Sequence, residues 1–526
     1  MKRLRLLAGA GACLLLTGCS NPLLPESSIT GSSETEQYDF PRYDIDSLQT
    51  RIEALKKIWK EPGKEADIAA EIEYMLNADD EAAAISTRAE IAYYADWSDA
   101  ELFDAYSVTR EDADVVDEMV TWCFANGAKF SDYKELFAPY VDESWMDYYT
   151  LTKLSRVMSS ARLKASDSGE KLDEYYDTAY DSDMSSAEQN RFCAELYLDL
   201  LKEYDLSDYL YSSYGRDYTA EQASEAAAAV LDELVPLSEA LYSRLIADPN
   251  YDRIIGSDQG YDAYALLKQY APRISPYVAE SVQKLFDEKL YTTAEGDDCY
   301  DGCFTVSLPN EKSALIYTYL KGNFTDIISV SHEFGHFHSD WRDQTPVYMQ
   351  VNCVDIAESQ SQSMEMLFTS FYGDIFGEDA SFMERLAIYN ILDSVIAGLA
   401  VGEFEYRVMQ NAERFTPEDV VECFQDLNEQ YGIGLELYEI SHLFEQPGYY
   451  VSYGVSALPA IELYVLMQED YDSAVSTYDT LSSISSCSGE TGFSEAIAMC
   501  GLRDPFDEDT MSYISRALHN RLEQLE

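Results

Sequence analysis

Apolar residues recur at three- and four-residue spacing along most of the chain, which is the period of an amphipathic helix. The pattern is clearest in residues 45–59, 219–247 and 276–290, and it returns beyond residue 350 and continues to the C-terminus. No fixed-period repeat and no glycine- or proline-rich linker interrupts it. The chain is therefore predicted to be mainly α-helical.

One segment has the alternation of β-strands instead. Residues 303–308 alternate in polarity and include β-branched side chains, residues 309–312 have turn composition, and residues 314–320 are again strand-like. A hairpin is predicted here, followed by a helix that begins near Thr325 or Asp326, both of which are suitable N-cap residues. The fold should therefore include a small β-sheet beside this helix.

The length of 526 residues is sufficient for two or more lobes. An apolar fraction of 46% and an aromatic fraction of 13% indicate a folded protein. Because no linker divides the chain, the boundary between lobes must fall inside a helical region. We predict a helical N-terminal lobe over residues 40–240 and a second domain over residues 241–526.

The first 18 residues have the pattern of a secretory signal peptide. The basic residues Lys2, Arg3 and Arg5 precede an apolar stretch over residues 6–16, which is too short to span a bilayer as a permanent helix. We predict that residues 1–18 are removed during export. No later segment is expected to have the length of a membrane helix.

The run Leu16-Thr17-Gly18-Cys19 resembles a bacterial lipobox. The resemblance implies cleavage before Cys19 and attachment of a lipid to its sulfur, which would make the protein a lipoprotein of the bacterial cell membrane, facing away from the cytoplasm. Residues 19–39 are rich in Ser, Thr, Glu and Pro and are predicted to form a flexible tether. The alternative is an ordinary secretory signal in which Cys19 is incidental.

The charge balance is strongly acidic, with 36 Lys and Arg against 97 Asp and Glu and a formal net charge of −61. Such a field repels nucleic acid and anionic lipid, so no nucleic-acid partner is expected. The same field could attract cationic peptides. The alternative is that the surface acids only keep the protein soluble.

The chain contains five histidines, and three of them lie within residues 332–338. His332 and His336 form the H-E-x-x-H pattern with Glu333 between them. Residues four apart on a helix share a face, so the two imidazoles can bind one zinc ion while Glu333 activates a water molecule. The alternative is a chance pattern on a helix that binds no metal. We predict a hydrolase that holds one Zn²⁺ per chain.

A hydrolytic zinc site needs a third protein ligand. The downstream segment DIAESQSQSME offers Asp355, Glu358 and Glu365. Glu358, Ser361 and Glu365 lie at i, i+3 and i+7, and therefore on one helical face. One of these carboxylates could bind the metal while another orients a ligand imidazole. Spacing alone leaves the choice open.

The segment HEFGH followed by DIAESQSQSME resembles the oligoendopeptidase F and thimet oligopeptidase family of zinc peptidases. The resemblance implies that Glu358 is the third ligand, that Glu365 supports a ligand histidine and that Glu333 is the general base. It also implies a thermolysin-like zinc peptidase core in residues 241–526, with the small sheet beside the active-site helix. The helical N-terminal lobe would enclose a deep cleft.

The segment HLFEQPGYYVSY resembles the family's downstream histidine and tyrosine motif. The resemblance implies that His442, Tyr450 and Tyr453 contact the scissile carbonyl and stabilise the oxyanion, with Tyr449 as a secondary candidate. The alternative is an ordinary cluster of core aromatic residues. The family often has a histidine three residues after the second ligand, whereas His338 lies two residues after it. That shift turns His338 by roughly 100° around the helix, so we do not expect it to bind metal.

The predicted function is zinc-dependent hydrolysis of short oligopeptides by a lipid-anchored oligoendopeptidase. An exposed strand within residues 303–320 could pair with an extended peptide through main-chain hydrogen bonds. A carboxypeptidase or dipeptidyl carboxypeptidase on the same fold is one alternative. A non-catalytic peptide-binding lipoprotein is another, although an intact Glu333 argues against it because binding alone needs no general base.

Overall fold

The computed structural model describes residues 40–59, 61, 63–127, 175, 184–203, 214–256, 260–346, 350–507 and 509–525. The predicted signal peptide, Cys19 and the tether lie outside the described residues. The described α-helices are α1 (Ile45–Ile58), α2 (Glu65–Ala95), α3 (Ala100–Gly127), α4 (Ser186–Glu203), α5 (Ala220–Glu233), α6 (Val235–Ala247), α7 (Tyr251–Ile255), α8 (Ala263–Tyr270), α9 (Pro276–Asp287), α10 (Thr325–Asp340), α11 (Val354–Phe368), α12 (Tyr372–Phe376), α13 (Ala380–Asn411), α14 (Pro417–Tyr431), α15 (His442–Glu445), α16 (Val451–Glu469), α17 (Tyr471–Leu481), α18 (Phe493–Met499) and α19 (Thr510–Gln524).

The predicted mainly α fold is confirmed, and local chemistry explains one difference in the boundaries. The segment with helical periodicity over residues 219–247 forms two helices, α5 and α6, which are divided at Leu234. Pro236 lies in the first turn of α6, where a missing N–H costs no intrahelical hydrogen bond. At the other end, Thr219 and Gln222 form a capping box that begins α5.

The predicted small sheet is also present, with one strand that the sequence pattern did not indicate. Strands β1 (Tyr291–Ala294), β2 (Cys303–Leu308) and β3 (Ser313–Tyr319) are arranged in the order β1-β3-β2. The predicted hairpin is the antiparallel pair β2–β3, whereas β1 is parallel to β3. Strand β2 therefore lies at an edge of the sheet, and α10 packs beside β2 and β3.

The expected helix cap at Thr325 or Asp326 is wrong. Helix α10 begins at Thr325, and Phe324 holds the cap position without a side-chain hydrogen bond. The carboxylate of Asp326 instead turns back and accepts from two N–H groups of the preceding loop, each at 2.8 Å. Asn323 Oδ1 accepts from the Thr325 N–H at 2.8 Å. The preceding loop and the first turn of α10 thus provide hydrogen-bond partners for each other.

A large apolar core contains residues from Ala84 to Leu522, and a smaller core joins α1, α2 and α3. Within the large core, α11 and α13 both pack against α16, and α10 packs against α11. The boundary predicted near residue 240 stays a prediction.

Among the described residues, the stretch Val354–Asn411 has the length and apolar composition of a membrane helix. The expectation that no segment after the signal peptide does so is therefore wrong by those two criteria. However, 89% of the apolar window is buried inside the protein, as in the core helix of a globular protein. Burial in the core accounts for its composition.

Helices α13 and α16 cross at a pair of glycines. A Cβ added at Gly398 would lie 2.2 Å from the backbone nitrogen of Gly454, and one at Gly454 would lie 2.7 Å from that of Leu399. Two backbones this close exclude any side chain between them. Because α16 carries Tyr453, the crossing helps to fix the position of that tyrosine.

We expect Gly398→Ala to lower the free energy of unfolding by about 2 kcal/mol or more, because its methyl group must push α13 away from α16. This loss should exceed the gain of up to ~1 kcal/mol from alanine's higher helix propensity. Thermal unfolding measures the effect. Gly373→Ala is the matched control, because a Cβ at Gly373 in α12 meets nothing within 4 Å. Equal stability of the two variants would contradict the close crossing.

Candidate metal centre and cleft

Helix α10 carries His332 and His336 one turn apart, and both side chains are buried. Helix α11 approaches closely at Gly335, where an added Cβ would lie 2.6 Å from the Cα of Ser361. The glycine therefore serves the contact between the two helices, which offsets its low helix propensity. This approach brings Glu358 of α11 to the histidine pair.

Three ligand atoms converge at this point. His332 Nε2 lies 3.2 Å from His336 Nε2, and Glu358 Oε2 lies 3.5 Å from His332 Nε2 and 3.9 Å from His336 Nε2. Among the parts of the chain that the structure describes, these residues form the one group of three or more His, Cys, Asp or Glu with ligand atoms within 4.8 Å of one another.

The donor set fits a zinc ion. Nitrogen and oxygen ligands bound tetrahedrally at about 2.0–2.2 Å lie roughly 3.3–3.6 Å apart, close to the separations found here. Glu358 Oε2 is buried and has no hydrogen-bond partner among the described residues. A buried carboxylate oxygen without a hydrogen bond is costly, and a bound cation would remove that cost.

Glu365 determines the orientation of one imidazole. Its Oε1 lies 2.6 Å from His332 Nδ1, so a proton on Nδ1 leaves the Nε2 lone pair directed at the other two ligand atoms. Burial, together with the charge of His332, lowers the pKa of His336 well below its ordinary value. For His332, the hydrogen bond and charge of Glu365, together with the charge of Glu358, outweigh burial and raise its pKa.

Glu333 is buried beside the group and anchored from the sheet. Thr305 of β2 donates to Glu333 Oε2 at 2.8 Å, a contact that no sequence motif indicated. Burial raises the pKa of Glu333 to about 7, and the charges of Glu358 and Glu365 act in the same direction. A carboxylate with a pKa near neutrality is well matched to general-base work.

The predicted histidine and tyrosine residues form a buried cluster at the start of α16. Tyr453 Oη lies 3.4 Å from His442 Nε2, and the Tyr450 ring centroid lies 5.9 Å from that of His442. Tyr449, the secondary candidate, donates to Glu358 Oε1 at 3.1 Å, so it joins this cluster to the metal centre. Burial lowers the pKa of His442 to about 4, which keeps the imidazole neutral.

Asp355, a possible ligand by spacing alone, is occupied elsewhere. Its Oδ2 accepts from Arg216 Nε at 3.1 Å and from Tyr218 Oη at 2.9 Å. Arg216 also donates to Ser452 Oγ at 2.6 Å. This buried ion pair links the first turns of α11 and α16, which carry Glu358 and Tyr453. No local sequence pattern indicates Arg216, because it lies 139 residues from its partner.

His338 lies away from the ligand atoms, as its spacing predicted. Its Nδ1 is 2.8 Å from Ser281 Oγ, its Nε2 is 3.1 Å from Ser482 Oγ, and its ring stacks on Tyr478. His338 therefore fastens the end of α10 to α9 and to the residue after α17. His519 is exposed on α19, 3.4 Å from Glu523.

A cavity of about 420 Å³ opens beside the metal centre. It is lined by Thr305, Val306 and Ser307 of edge strand β2 and by Val354 and Ala357 at the start of α11. His336 and Tyr449 also line the cavity. Substrate in this cavity would lie beside the ligand residue His336 and beside strand β2. The fold and site together define a helical protein with an H-E-x-x-H and glutamate group beside a small sheet.

Comparisons with solved structures identify the same fold. A structure assigned as an oligoendopeptidase F has a TM-score of 0.74 at 17% identity, over 93% of this chain and 98% of its own. The structure of PZ peptidase A with an inhibitor has a TM-score of 0.68 at 17% identity, over 93% and 99%. Oligoendopeptidase-F from Enterococcus faecium has a TM-score of 0.55 at 15% identity, over 91% and 98%.

No protein-family model matches the sequence, and no curated protein matches it. The chain nevertheless has the fold of the oligoendopeptidase F structures over nearly its whole length. The predicted resemblance is thus confirmed at the level of the fold.

Proposed function

We propose that the protein is a zinc-dependent peptidase that cleaves short oligopeptides. The observation that carries this proposal is the convergence of three ligand atoms within 3.2–3.9 Å beside a buried glutamate. His332, His336 and Glu358 would hold the ion, and Glu365 would orient His332. The names of the structural neighbours, oligoendopeptidase F and PZ peptidase A, support peptides as substrates.

Zinc bound there would supply Lewis-acid chemistry, polarising the scissile carbonyl and lowering the pKa of an attacking water. Glu333 would take a proton from the water and deliver it to the leaving amine. Thr305, through its hydrogen bond, holds the Glu333 carboxylate in place against β2. Burial keeps that carboxylate away from bulk solvent and close to neutral pKa.

The cluster of His442, Tyr450 and Tyr453 would stabilise the negative charge that develops on the carbonyl oxygen. A phenol hydroxyl is a suitable donor for such charge, and His442 lies within 3.4 Å of the Tyr453 hydroxyl to orient it. Tyr449 has a different proposed role: its hydroxyl donates to Glu358 and fixes the direction of that carboxylate.

We expect Tyr453→Phe to lower kcat by roughly 10²–10³-fold with little change in KM, because it removes a donor to the transition state and keeps the ring. Steady-state kinetics on a quenched fluorescent peptide measures this. Tyr478→Phe is a matched control: the Tyr478 hydroxyl is buried without a hydrogen-bond partner among the described residues and lies beside His338. A normal kcat for Tyr453→Phe would exclude the proposed role.

Edge strand β2 would bind the peptide main chain. Among the described strands it pairs with β3 alone, and its residues Thr305 to Ser307 line the cavity. Main-chain pairing at a strand edge gives affinity without requiring a particular sequence. A peptide bound there passes the metal centre in an extended form, as cleavage of varied oligopeptides requires.

A peptide ladder tests the activity and its direction. Purified protein should cleave internal bonds of peptides of graded length, lose this activity in a zinc chelator and regain it when zinc is added. Mass spectrometry of the products distinguishes the modes of cleavage. If peptides were shortened only from the C-terminus, the protein would be a carboxypeptidase and the endopeptidase proposal would be wrong. Peptide binding without any cleavage would favour a peptide-binding lipoprotein.

We also propose that the protein is held at the outer face of the bacterial cell membrane by lipid on Cys19. The support is the sequence pattern of residues 1–19 alone. Fatty-acid labelling of cells should mark the wild-type protein and not Cys19→Ser. If the wild-type protein were not labelled, the lipid anchor would be excluded and a secreted enzyme would be the remaining alternative.

A further inference from the structure

Asp340 is a charged residue of the cavity that the proposed mechanism does not use. It lies on α10 four residues after His336, and residues at this spacing share a helix face. Both residues line the cavity of about 420 Å³. Among the described residues that line it, Asp340 is the single carboxylate, and no lysine or arginine accompanies it.

The side chain of Asp340 is half-buried, and its carboxylate has no hydrogen bond or ion pair with any described residue. Burial raises the pKa of Asp340 to about 8, and the charges of Asp343 and Glu333 act in the same direction. Burial and the two neighbouring charges therefore all disfavour the ionised form of the Asp340 carboxyl group. A cation placed in the cavity would counter all of them.

The neighbouring residue Asp343 differs from Asp340 because both of its carboxylate oxygens accept hydrogen bonds. Its Oδ1 accepts from the Thr345 N–H at 3.0 Å and from the Thr345 hydroxyl at 2.6 Å, and its Oδ2 accepts from Ser485. Asp343 does not belong to the cavity lining. The protein therefore satisfies one of two nearby carboxylates internally and leaves the other facing the substrate space.

We propose that Asp340 is a specificity-determining residue that binds the cationic side chain of a lysine or arginine in the substrate. The proposal rests on the peptidase function proposed above and names its substrate class. Asp340 lies about one helical turn, or 5.4 Å, along α10 from His336. An extended peptide advances about 3.3 Å per residue. The basic residue of the substrate should therefore lie within about two positions of the scissile bond. A net charge of −61 would also favour the approach of cationic peptides.

Paired peptides test the proposal. Each pair carries arginine or citrulline at one position from three residues before to three residues after the cleaved bond. Citrulline keeps the shape and hydrogen-bonding capacity of arginine without its charge. At one of the positions nearest the bond, wild-type protein should prefer arginine by roughly tenfold or more in kcat/KM, mainly through KM. Tenfold corresponds to about 1.4 kcal/mol, an ordinary value for a desolvated charge pair.

In Asp340→Asn the preference should fall to about one, while cleavage of the citrulline peptide continues. Asp343→Asn is the matched control. It makes the same chemical change three residues further along the chain, in a side chain that lies outside the cavity. This variant should keep the preference for arginine. Equal rates for arginine and citrulline in the wild-type protein, or a preference that survives in Asp340→Asn, would overturn the proposal. The wild-type comparison does not depend on the folding of any variant.

A binding measurement separates failure of this proposal from failure of the proposed function. Fluorescence anisotropy gives the affinity of labelled arginine and citrulline peptides for the zinc-loaded Glu333→Gln protein, in which turnover is not needed. Tighter binding of the arginine peptide supports the role of Asp340 even if no peptide is cleaved by the wild-type protein. Equal affinities at every position contradict it even if the wild-type protein is an active peptidase.

Discussion

Glu333→Gln is expected to reduce kcat for peptide cleavage by roughly 10²–10⁴-fold while one zinc ion stays bound per chain. The amide keeps the shape of the side chain and can still accept the hydrogen bond from Thr305, which is 2.8 Å in the wild-type protein. It has no basic oxygen to take a proton from water. Kinetics on a quenched peptide and elemental analysis of the same sample measure both quantities.

Glu365→Gln provides the matched control for that result. It makes the same chemical change near the same metal centre but leaves the general base in place. Because Glu365 orients His332, this variant should bind zinc about 10–100-fold less tightly and recover activity in excess zinc. Glu333→Gln should not recover under any zinc concentration. An active, zinc-loaded Glu333→Gln protein would show that another residue is the base.

The helical period was enough to predict which residues of the site share a face. His332 and His336 are four apart, and Glu358 and Glu365 are seven apart, so each pair follows from helix geometry. The period does not say how two helices meet. Only the packed structure shows that Glu358 reaches the Nε2 atoms while Glu365 reaches His332 Nδ1. Family resemblance supplied the roles of the two carboxylates, and zinc binding by Glu358 stays a prediction.

Contacts between distant elements had no local signal. Thr305 and Glu333 meet because α10 lies on the sheet, and the alternation of β2 does not reveal which strand residue will face the helix. Strand β1 has four residues and depends on parallel pairing with β3 for its existence. Asp340 fits no motif, and only the cavity distinguishes it from the many surface acids of this chain.

The helix cap shows how tertiary contacts override a local rule. Thr325 and Asp326 are both residue types that cap helices, yet the loop before α10 presents N–H groups of its own. Asp326 is buried at this junction, and burial raises its pKa while the hydrogen bonds from the Lys321 and Gly322 N–H groups act against that rise. Because the Asp326 carboxylate accepts hydrogen bonds from the preceding loop, it does not cap the helix. The hairpin, the turn and α10 therefore form one local unit.

Glu358→Gln is expected to abolish stoichiometric zinc binding and, with it, peptide cleavage. The amide fits the buried site and can still accept from Tyr449, so the fold should persist. It supplies no negative charge to the cation, and the remaining two imidazoles provide too few ligands for a stable zinc site. Zinc should raise the melting temperature of the wild-type protein, because a ligand of the native state stabilises it by mass action. The variant should show no such rise.

Asp355→Asn distinguishes loss of a ligand from loss of structure. Asp355 is an acid of the same helix, three residues before Glu358, but it pairs with buried Arg216 at 3.1 Å. Weakening that pair should lower stability, since an arginine without a full partner stays buried. Zinc should still bind, because the three ligand atoms are unchanged. If Asp355→Asn lost zinc while Glu358→Gln retained it, the ligand set would be wrong. The proposed chemistry would then need another third carboxylate.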